Sequence, residues 1–343
     1  ELQADFISHK LRIAIDFTPI NNAMINPPPT IPLDYRTTIS KIANQTILGK
    51  LDISKGYWHV PLAKESQKYT TFHTHHGDYM FTVMPFGLKN APYEFIKRLE
   101  KALYPLAHLP IGVYMDDIIF GATSQQEFVT TLNEIMDTLI RNNFKINLEK
   151  CEFATTQTSF CGCTINGFTK SIDQKKLQVL HLSETPQSKT HLQSFLGMVN
   201  YLREFIPDCA RLCYPLTELL KVRFLWTDEH ETSFRQVLDV ISQASSISHF
   251  EIGYPLHIET DASLNGLGAV IFQETSDGNR KGKLLGFASH KFNDQERKWS
   301  TQDQEMFAII YIARSKREWL LGVPLTTFYT DHKNLEQVFV KPN

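Results

Sequence analysis

Through the first half of the chain, short apolar runs of β-prone residues alternate with stretches whose apolar residues return at helical spacing. Residues 11–17, 46–53, 79–83 and 111–120 read as strands, and the helical patterns between them follow no regular βαβ repeat, which predicts an α+β arrangement. Pro27, Pro28, Pro29 and Pro32 can continue neither a helix nor a central strand, so residues 25–32 read as an extended connector. From about residue 168 the pattern turns helical. Leu192, Phe195, Leu196, Val199, Leu202 and Phe205 recur at steps of three and four between Pro186 and Pro207, and a second helix starts near Thr227 and runs through Ile241. Beyond Pro255 strands return at 256–260, 268–272, 284–288 and 325–330, joined by one long helix over 301–320 that a Thr301-x-x-Gln304 capping box opens. The pattern thus predicts three parts: a mixed domain at 1–167, a mostly helical one at 168–250, and an α/β unit at 251–343.

Composition narrows the class without naming a chemistry. At 42% hydrophobic and 21% charged residues the chain has the apolar surface for a core, which excludes a disordered or collagen-like protein. Lys plus Arg 35 against Asp plus Glu 37 leaves a net charge of −2, so no global field draws in a polyanion, although local basic grooves remain compatible. Five scattered cysteines, Cys151, Cys161, Cys163, Cys209 and Cys213, fit a reducing intracellular setting better than a disulfide framework, and the absence of Cys-x-x-Cys pairs argues against zinc. No apolar run is long enough to span a membrane and no signal peptide opens the chain, which predicts a soluble protein. Both ends lack natural punctuation, so a piece of a longer chain is expected.

In the run from Ile111 to Ala122, Asp116 and Asp117 stand side by side between two apolar β-prone halves. This is a hairpin with acid at its turn. It reads either as an Asp-rich β-turn or as a divalent-metal site, because crowded carboxylates repel unless an oxygen-seeking cation lies between them. Asp52 lies inside an apolar strand and asks for a partner. With that strand beside the hairpin, Asp52, Asp116 and Asp117 would hold two metal ions, the arrangement of nucleotidyl transfer.

Tyr114-Met115-Asp116-Asp117 resembles the polymerase box of reverse transcriptases, and the run from Leu51-Asp52-Ile53 to Tyr57 resembles their first catalytic strand. The segment from Met84 to Pro92 is similar to the one that flanks the incoming nucleotide and the template, and Phe86 within it points to the Ty3/Gypsy group or to plant pararetroviruses. The resemblance implies that Tyr57 excludes ribonucleotides, where a core aromatic is the plainer reading. It implies further that Lys68, Lys89 and Gly87 lie along nucleic acid or nucleotide, that Arg12 lies near the triphosphate, and that Phe160-Cys161-Gly162 forms a primer grip; solvated lysines and a simple hairpin glycine are the alternatives. The run from Gln193 to Phe205 resembles the thumb helix, with Lys189, Arg203 and Arg211 facing a duplex or plain solvent.

In the last part Asp261 ends an alternating strand before Asn265-Gly266, Glu305 shares a helical stripe with Ala308, Ile309 and Ile312, and Asp331 closes another strand. Three acids at element ends suggest a second two-metal site. The motifs around them resemble ribonuclease H of the Ty3/Gypsy group, whose fourth metal position would fall beyond residue 343, so a domain cut short is expected.

The resemblance implies a right-hand polymerase of fingers, ferredoxin-like palm and helical thumb/connection, followed by a ribonuclease H-like domain. It implies Mg²⁺ or Mn²⁺, two ions per site, with RNA template, DNA or tRNA primer, RNA/DNA hybrid and dNTPs as partners. It also implies protease and integrase in the same polyprotein, no membrane, and a cytoplasmic location within virus-like particles. The alternative is a domesticated or degenerate retroelement protein that binds nucleic acid without catalysis.

Overall fold

A computed structural model describes residues 2–5, 10–13, 15–27 and 35–338, with strands 2–5 and 10–13, His181 and residues 336–338 given by backbone alone. The chain divides into two compact units, 1–158 and 159–343. No helix among the described residues is long and apolar enough to cross a membrane.

In the first unit β1 (Leu2–Asp5) and β2 (Lys10–Ile13) form an antiparallel ribbon. The main sheet is built from β3 (Ile47–Asp52), and, after the small hairpin of β4 (Phe72–Thr74) and β5 (Gly77–Tyr79), from β6 (Ile111–Tyr114), β7 (Asp117–Ala122) and β8 (Glu152–Thr155). Its order is β6-β7-β3-β8, antiparallel throughout. Helices Ala91–Leu103 and Gln125–Arg141 fall between β3 and β6 and between β7 and β8, which gives the βαββαβ order of a ferredoxin-like palm. Phe95, Leu99, Phe128 and Ile135 bury against Leu51, Ile118 and Phe120 in one core. Gly49 in β3 is required there: a Cβ would come 2.2 Å from the ring of Phe120, which lies directly over it.

The expected strand at 79–83 differs. The chain pairs at Gly77–Tyr79 and then meets Pro61 only through an isolated bridge at Val83. Residues 28–34 of the expected connector lie outside the described residues, and the strand expected at 11–17 ends at Ile13, with residue 14 also outside them.

In the second unit β9 (Thr158–Phe160), β10 (Cys163–Ile165), β11 (Thr169–Ile172) and β12 (Ile247–Ser248) make a small sheet in the order β12-β11-β10-β9. Helices Gln174–His181, Lys189–Tyr201 and Asp228–Ser242 lie in the segment between β11 and β12. Thr227 caps the last of these, as its position ahead of the apolar stripe predicts. The helical run expected to reach Phe205 leaves α-geometry after Tyr201 and closes with a 3₁₀ turn over Arg203–Phe205.

Strands β13 (Leu256–Ser263), β14 (Gly266–Gln273), β15 (Lys283–Lys291) and β16 (Thr326–Tyr329) follow in the order β15-β14-β13-β16, with β16 parallel to β13 and the others antiparallel. Helix Thr301–Ser315 buries Ala308 and Ile312 against this sheet. Its cap is Ser300, whose Oγ accepts from the Asp303 amide at 3.2 Å, one residue earlier than the sequence suggests; Gln304 instead turns inward to the Glu296 carbonyl at 3.1 Å. The helix stops at Ser315, and a separate turn runs Arg317–Leu321.

Candidate active site

Register creates the first acidic cluster. β3 pairs with β7 so that Asp52 stands directly opposite Asp117, and β7 pairs with β6 so that Asp117 also faces Tyr114. Cross-strand partners share a face of the sheet, which places Asp52, Asp117 and Tyr114 in one row although they are far apart in sequence. Asp116 occupies the two-residue turn between β6 and β7, and its carbonyl accepts from the Ile53 amide at 2.8 Å, tying the turn to the end of β3. Met115, the other turn residue, takes φ +53°, a left-handed conformation normally left to glycine, and its side chain is exposed.

The electrostatics follow from this crowding. Partial burial, reinforced by the Asp52 charge, pushes the Asp116 carboxyl above the usual carboxylate range, and Lys150 and His59 oppose the rise. Asp117 is raised for the same leading reason, with Lys50 offsetting part of it and Asp52 and Asp116 adding to it. Lys150 Nζ lies 3.3 Å from Asp52 Oδ2, while Lys50 is engaged with Glu152 at 2.6 Å. Like charges driven together, with lysines as partial counterweights, are the donor set of a hard cation: all oxygen and all anionic. Among the described residues, no three His, Cys, Asp or Glu side chains form a ready-made cage.

Beside the acids, Gly56 is packed so closely that a Cβ would lie 2.6 Å from Asp116 Oδ1 and 2.8 Å from the Phe95 ring. Tyr57 follows, half-buried, its ring 5.1 Å from Phe86 and 5.8 Å from Phe95, and burial together with the Asp116 charge raises its phenol. Phe86 is 50% exposed, and Trp58 lies against it at 6.1 Å, so an open aromatic wall stands next to the carboxylates. Gly87 adopts φ +96°, and its carbonyl accepts from Asn21 Nδ2 at 2.8 Å. Lys89 is exposed, and its Nζ donates to the Met24 carbonyl at 2.6 Å. Lys68 lies over the Tyr69 ring at 5.1 Å. Arg12 is on β2, opposite Gln3, and its side chain lies outside the described residues.

In the second unit Gly162 sits at φ +68° in the turn between β9 and β10. Parallel pairing of β13 with β16 brings their C-terminal ends to the same side, from which Asp261 and Asp331 project, both exposed. Glu305 reaches the same place from the helix and is 2% exposed. Its oxygens accept from the Ala262 amide at 3.0 Å and the Thr330 hydroxyl at 3.3 Å, which answers the cost of an inward carboxylate. Burial, with the charges of Asp331 and Asp261, raises its carboxyl.

The structure therefore brings together the acids of each expected cluster. Sequence reasoning missed Gly56 and Lys150. Gly56 left a faint signal as a glycine between the Asp52 strand and a run of aromatics; Lys150, distant in sequence, left none.

Comparison with known proteins finds two families along the chain. Residues 5–165 match the reverse transcriptase (RNA-dependent DNA polymerase) family and residues 226–327 the RNase H-like domain found in reverse transcriptase. The transposon Tf2-3 polyprotein of Schizosaccharomyces pombe is 32% identical over 95% of this chain, and the Tf2-7 polyprotein 31% over the same share; the chain spans 24% of each. A foamy viral protease-reverse transcriptase in complex with dsDNA superposes with a TM-score of 0.83 at 22% identity, covering 98% of this chain and 70% of that one. Another in complex with RNA/DNA hybrid gives 0.80 at 21%, covering 95% and 44%. The chain belongs to the reverse transcriptase and ribonuclease H family of Ty3/Gypsy-type retrotransposons, with its reverse transcriptase part at 5–165 and its RNase H-like part at 226–327.

Proposed function

We propose that the chain is the RNA-directed DNA polymerase of a retroelement, with an associated ribonuclease H centre acting on the RNA of RNA/DNA hybrids. The observation that carries the reading is the pairing of Asp52 with Asp117 across β3 and β7, with Asp116 at the adjoining turn. These three would hold two Mg²⁺ or Mn²⁺ ions, which when bound supply activation of the primer 3′-hydroxyl and charge neutralisation on the departing pyrophosphate. All donor atoms of the three acids are carboxylate oxygens, which suits such hard cations, and oxygens of a bound nucleotide triphosphate would complete the coordination. Lys150 balances the charge of Asp52 until then. The ring of Tyr57, held between Phe86 and Phe95, blocks the space a ribose 2′-hydroxyl would need. Phe86, Gly87, Tyr114 and Met115 line the nucleotide side, and Arg12, Lys68, Lys89 and Gly162 belong to the nucleic-acid path.

In the second centre Asp261, Glu305 and Asp331 would hold the metal ions of hybrid cleavage. Residues 1–167 act as fingers and palm, 168–250 as thumb and connection, and 251–343 as the ribonuclease H-like domain. The foamy viral enzymes in complex with dsDNA and with RNA/DNA hybrid support a duplex and a hybrid as partners; the proposed reaction adds an RNA template, a DNA or tRNA primer and dNTPs. The polyprotein relatives support further parts on the same precursor; in the reading proposed here these include protease and integrase, and the place of action is cytoplasmic virus-like particles.

Primer extension on an RNA template with dNTPs and Mg²⁺ or Mn²⁺ tests the reading, with Asp117→Asn and ribonucleotides as controls. Extension that Asp117→Asn abolishes is expected. A folded chain that binds hybrid and extends nothing would favour a degenerate binding protein instead.

A further inference from the structure

Cys161 and Gly162 both lie in the left-handed region, at φ +49° and +68°, and close β9 onto β10 through a two-residue turn. Glycine accepts that conformation freely, whereas cysteine pays for it in steric strain, so the turn is held from outside. The Tyr201 hydroxyl, at the end of helix Lys189–Tyr201, donates to the Cys161 carbonyl. Lys176, from helix Gln174–His181, runs across Gly162: a Cβ there would lie 2.2 Å from Lys176 Nζ and 2.4 Å from its Cε. The same ammonium stands 4.1 Å from the centre of the Tyr201 ring. A hairpin tip, an aromatic platform and an ammonium, from three separate elements, thus meet at one point.

Among the described residues no carboxylate pairs directly with this ammonium, although the Asp173 charge acts on it from a distance. Asp173, the acid nearby in sequence, is occupied: it accepts from Ser159 Oγ at 2.5 Å and from the Lys175 amide at 2.8 Å. A lysine side chain is ordinarily a mobile, fully hydrated point charge. Here one face of the ammonium is taken by an aromatic ring and its stem lies on a glycine, which fixes its place and leaves its other donors for an incoming anion.

We propose that Lys176 is the ligand of a single phosphodiester of the primer strand, and that Tyr201 is a positioning residue that fixes the turn and the lysine together. The proposal rests on the polymerase reading and deepens it, because the turn at 160–162 is the one assigned there to the nucleic-acid path. Bare glycine at 162 serves two ends: it permits the turn, and it makes room for the lysine that a side chain would displace.

The test is the salt dependence of binding to an RNA/DNA primer–template, measured with the whole chain by fluorescence anisotropy. Each neutralised phosphate contributes about 0.9 to the slope of log affinity against log salt. Lys176→Gln should therefore flatten the slope by about 0.9 and weaken binding about eightfold at 0.1 M salt, equally for different sequences. Lys176→Arg should restore the slope. Tyr201→Leu should weaken binding alone but add little to Lys176→Gln, since the two act through one contact. An unchanged slope in a Lys176→Gln chain that melts like the wild type would overturn the proposal and leave the polymerase reading standing. So would full additivity of Tyr201→Leu with Lys176→Gln. A wild-type chain with no affinity for the hybrid would overturn both.

Discussion

Acid should loosen the small sheet of the second unit through one residue, His249. It follows β12 directly, is 5% exposed, and its Nε2–H donates to the Asn166 carbonyl at 2.6 Å, while its amide donates to the Phe168 carbonyl at 2.9 Å. Burial is the leading cause that lowers its imidazole from 6.5 to about 4, with the neighbouring Lys170 ammonium working in the same direction and Glu204 and Glu251 opposing it. Between those two values the unfolded chain carries a proton that the folded chain refuses. Stability from this group is therefore complete above pH 6.5 and is lost as pH falls towards 4. At about 1.4 kcal/mol per pH unit the full loss is roughly 3 kcal/mol, and about 2 kcal/mol of it is gone by pH 5. Urea unfolding at pH 7.5 and pH 5, in wild type and in His249→Gln, isolates the contribution, because glutamine keeps a donor for Asn166 and does not titrate. The variant should lose about 2 kcal/mol less than wild type over that interval. An identical loss in both proteins, or an imidazole that titrates near 6.5 by NMR, would refute the reasoning.

Four further outcomes are expected. Gly56→Ala forces a methyl group against Asp116 Oδ1 and the Phe95 ring, so it should cost about 1–3 kcal/mol in a thermal melt and lower kcat for extension more than it alters hybrid affinity. Glu204→Gln removes the carboxylate of a buried pair with Lys170, 2.9 Å apart, and should destabilise the chain by about 3–5 kcal/mol in urea. Tyr57→Val should raise ribonucleotide incorporation relative to deoxyribonucleotide in a competition assay, with a stability cost of about 1–3 kcal/mol for the half-buried ring it removes. Lys150→Met breaks a pair whose lysine is 65% exposed, so its effect on stability should stay under about 1 kcal/mol; a larger drop would mean that the pair supports the fold beyond its charge.

What the sequence disclosed, and what it withheld, follows from the range of the forces involved. Short apolar, β-prone runs located β3 and the β6–β7 hairpin, and the period of 3.6 located helix Asp228–Ser242, because both patterns are written in neighbouring residues. The acids could be read because each stands where an apolar strand or stripe has no use for charge. Cap choice was decided by one residue: Ser300 and Thr301 are both good caps, and only the inward turn of Gln304 selects Ser300. The stop of the last long helix at Lys316 has no glycine or proline to announce it. The strand set at 79–83 shifted because the turn at Gly77 starts pairing earlier than the aromatic run suggests. Lys150 beside Asp52, and Lys89 bound to the Met24 carbonyl, are products of folding over long stretches of chain. No local pattern encodes them.

The two centres differ in what surrounds their strands. Asp52 and Asp117 belong to β3 and β7, the inner pair of their sheet, with a neighbour on either side. Asp331 follows β16, which among the described residues is an edge strand bonded to β13 alone through four residue pairs. Amides of an edge strand exchange with solvent through local opening, whereas those of inner strands wait for larger unfolding events. Gentle warming should therefore loosen the Asp331 end before the row of Asp52 and Asp117, and under the proposed function hybrid cleavage should fade while strand synthesis continues.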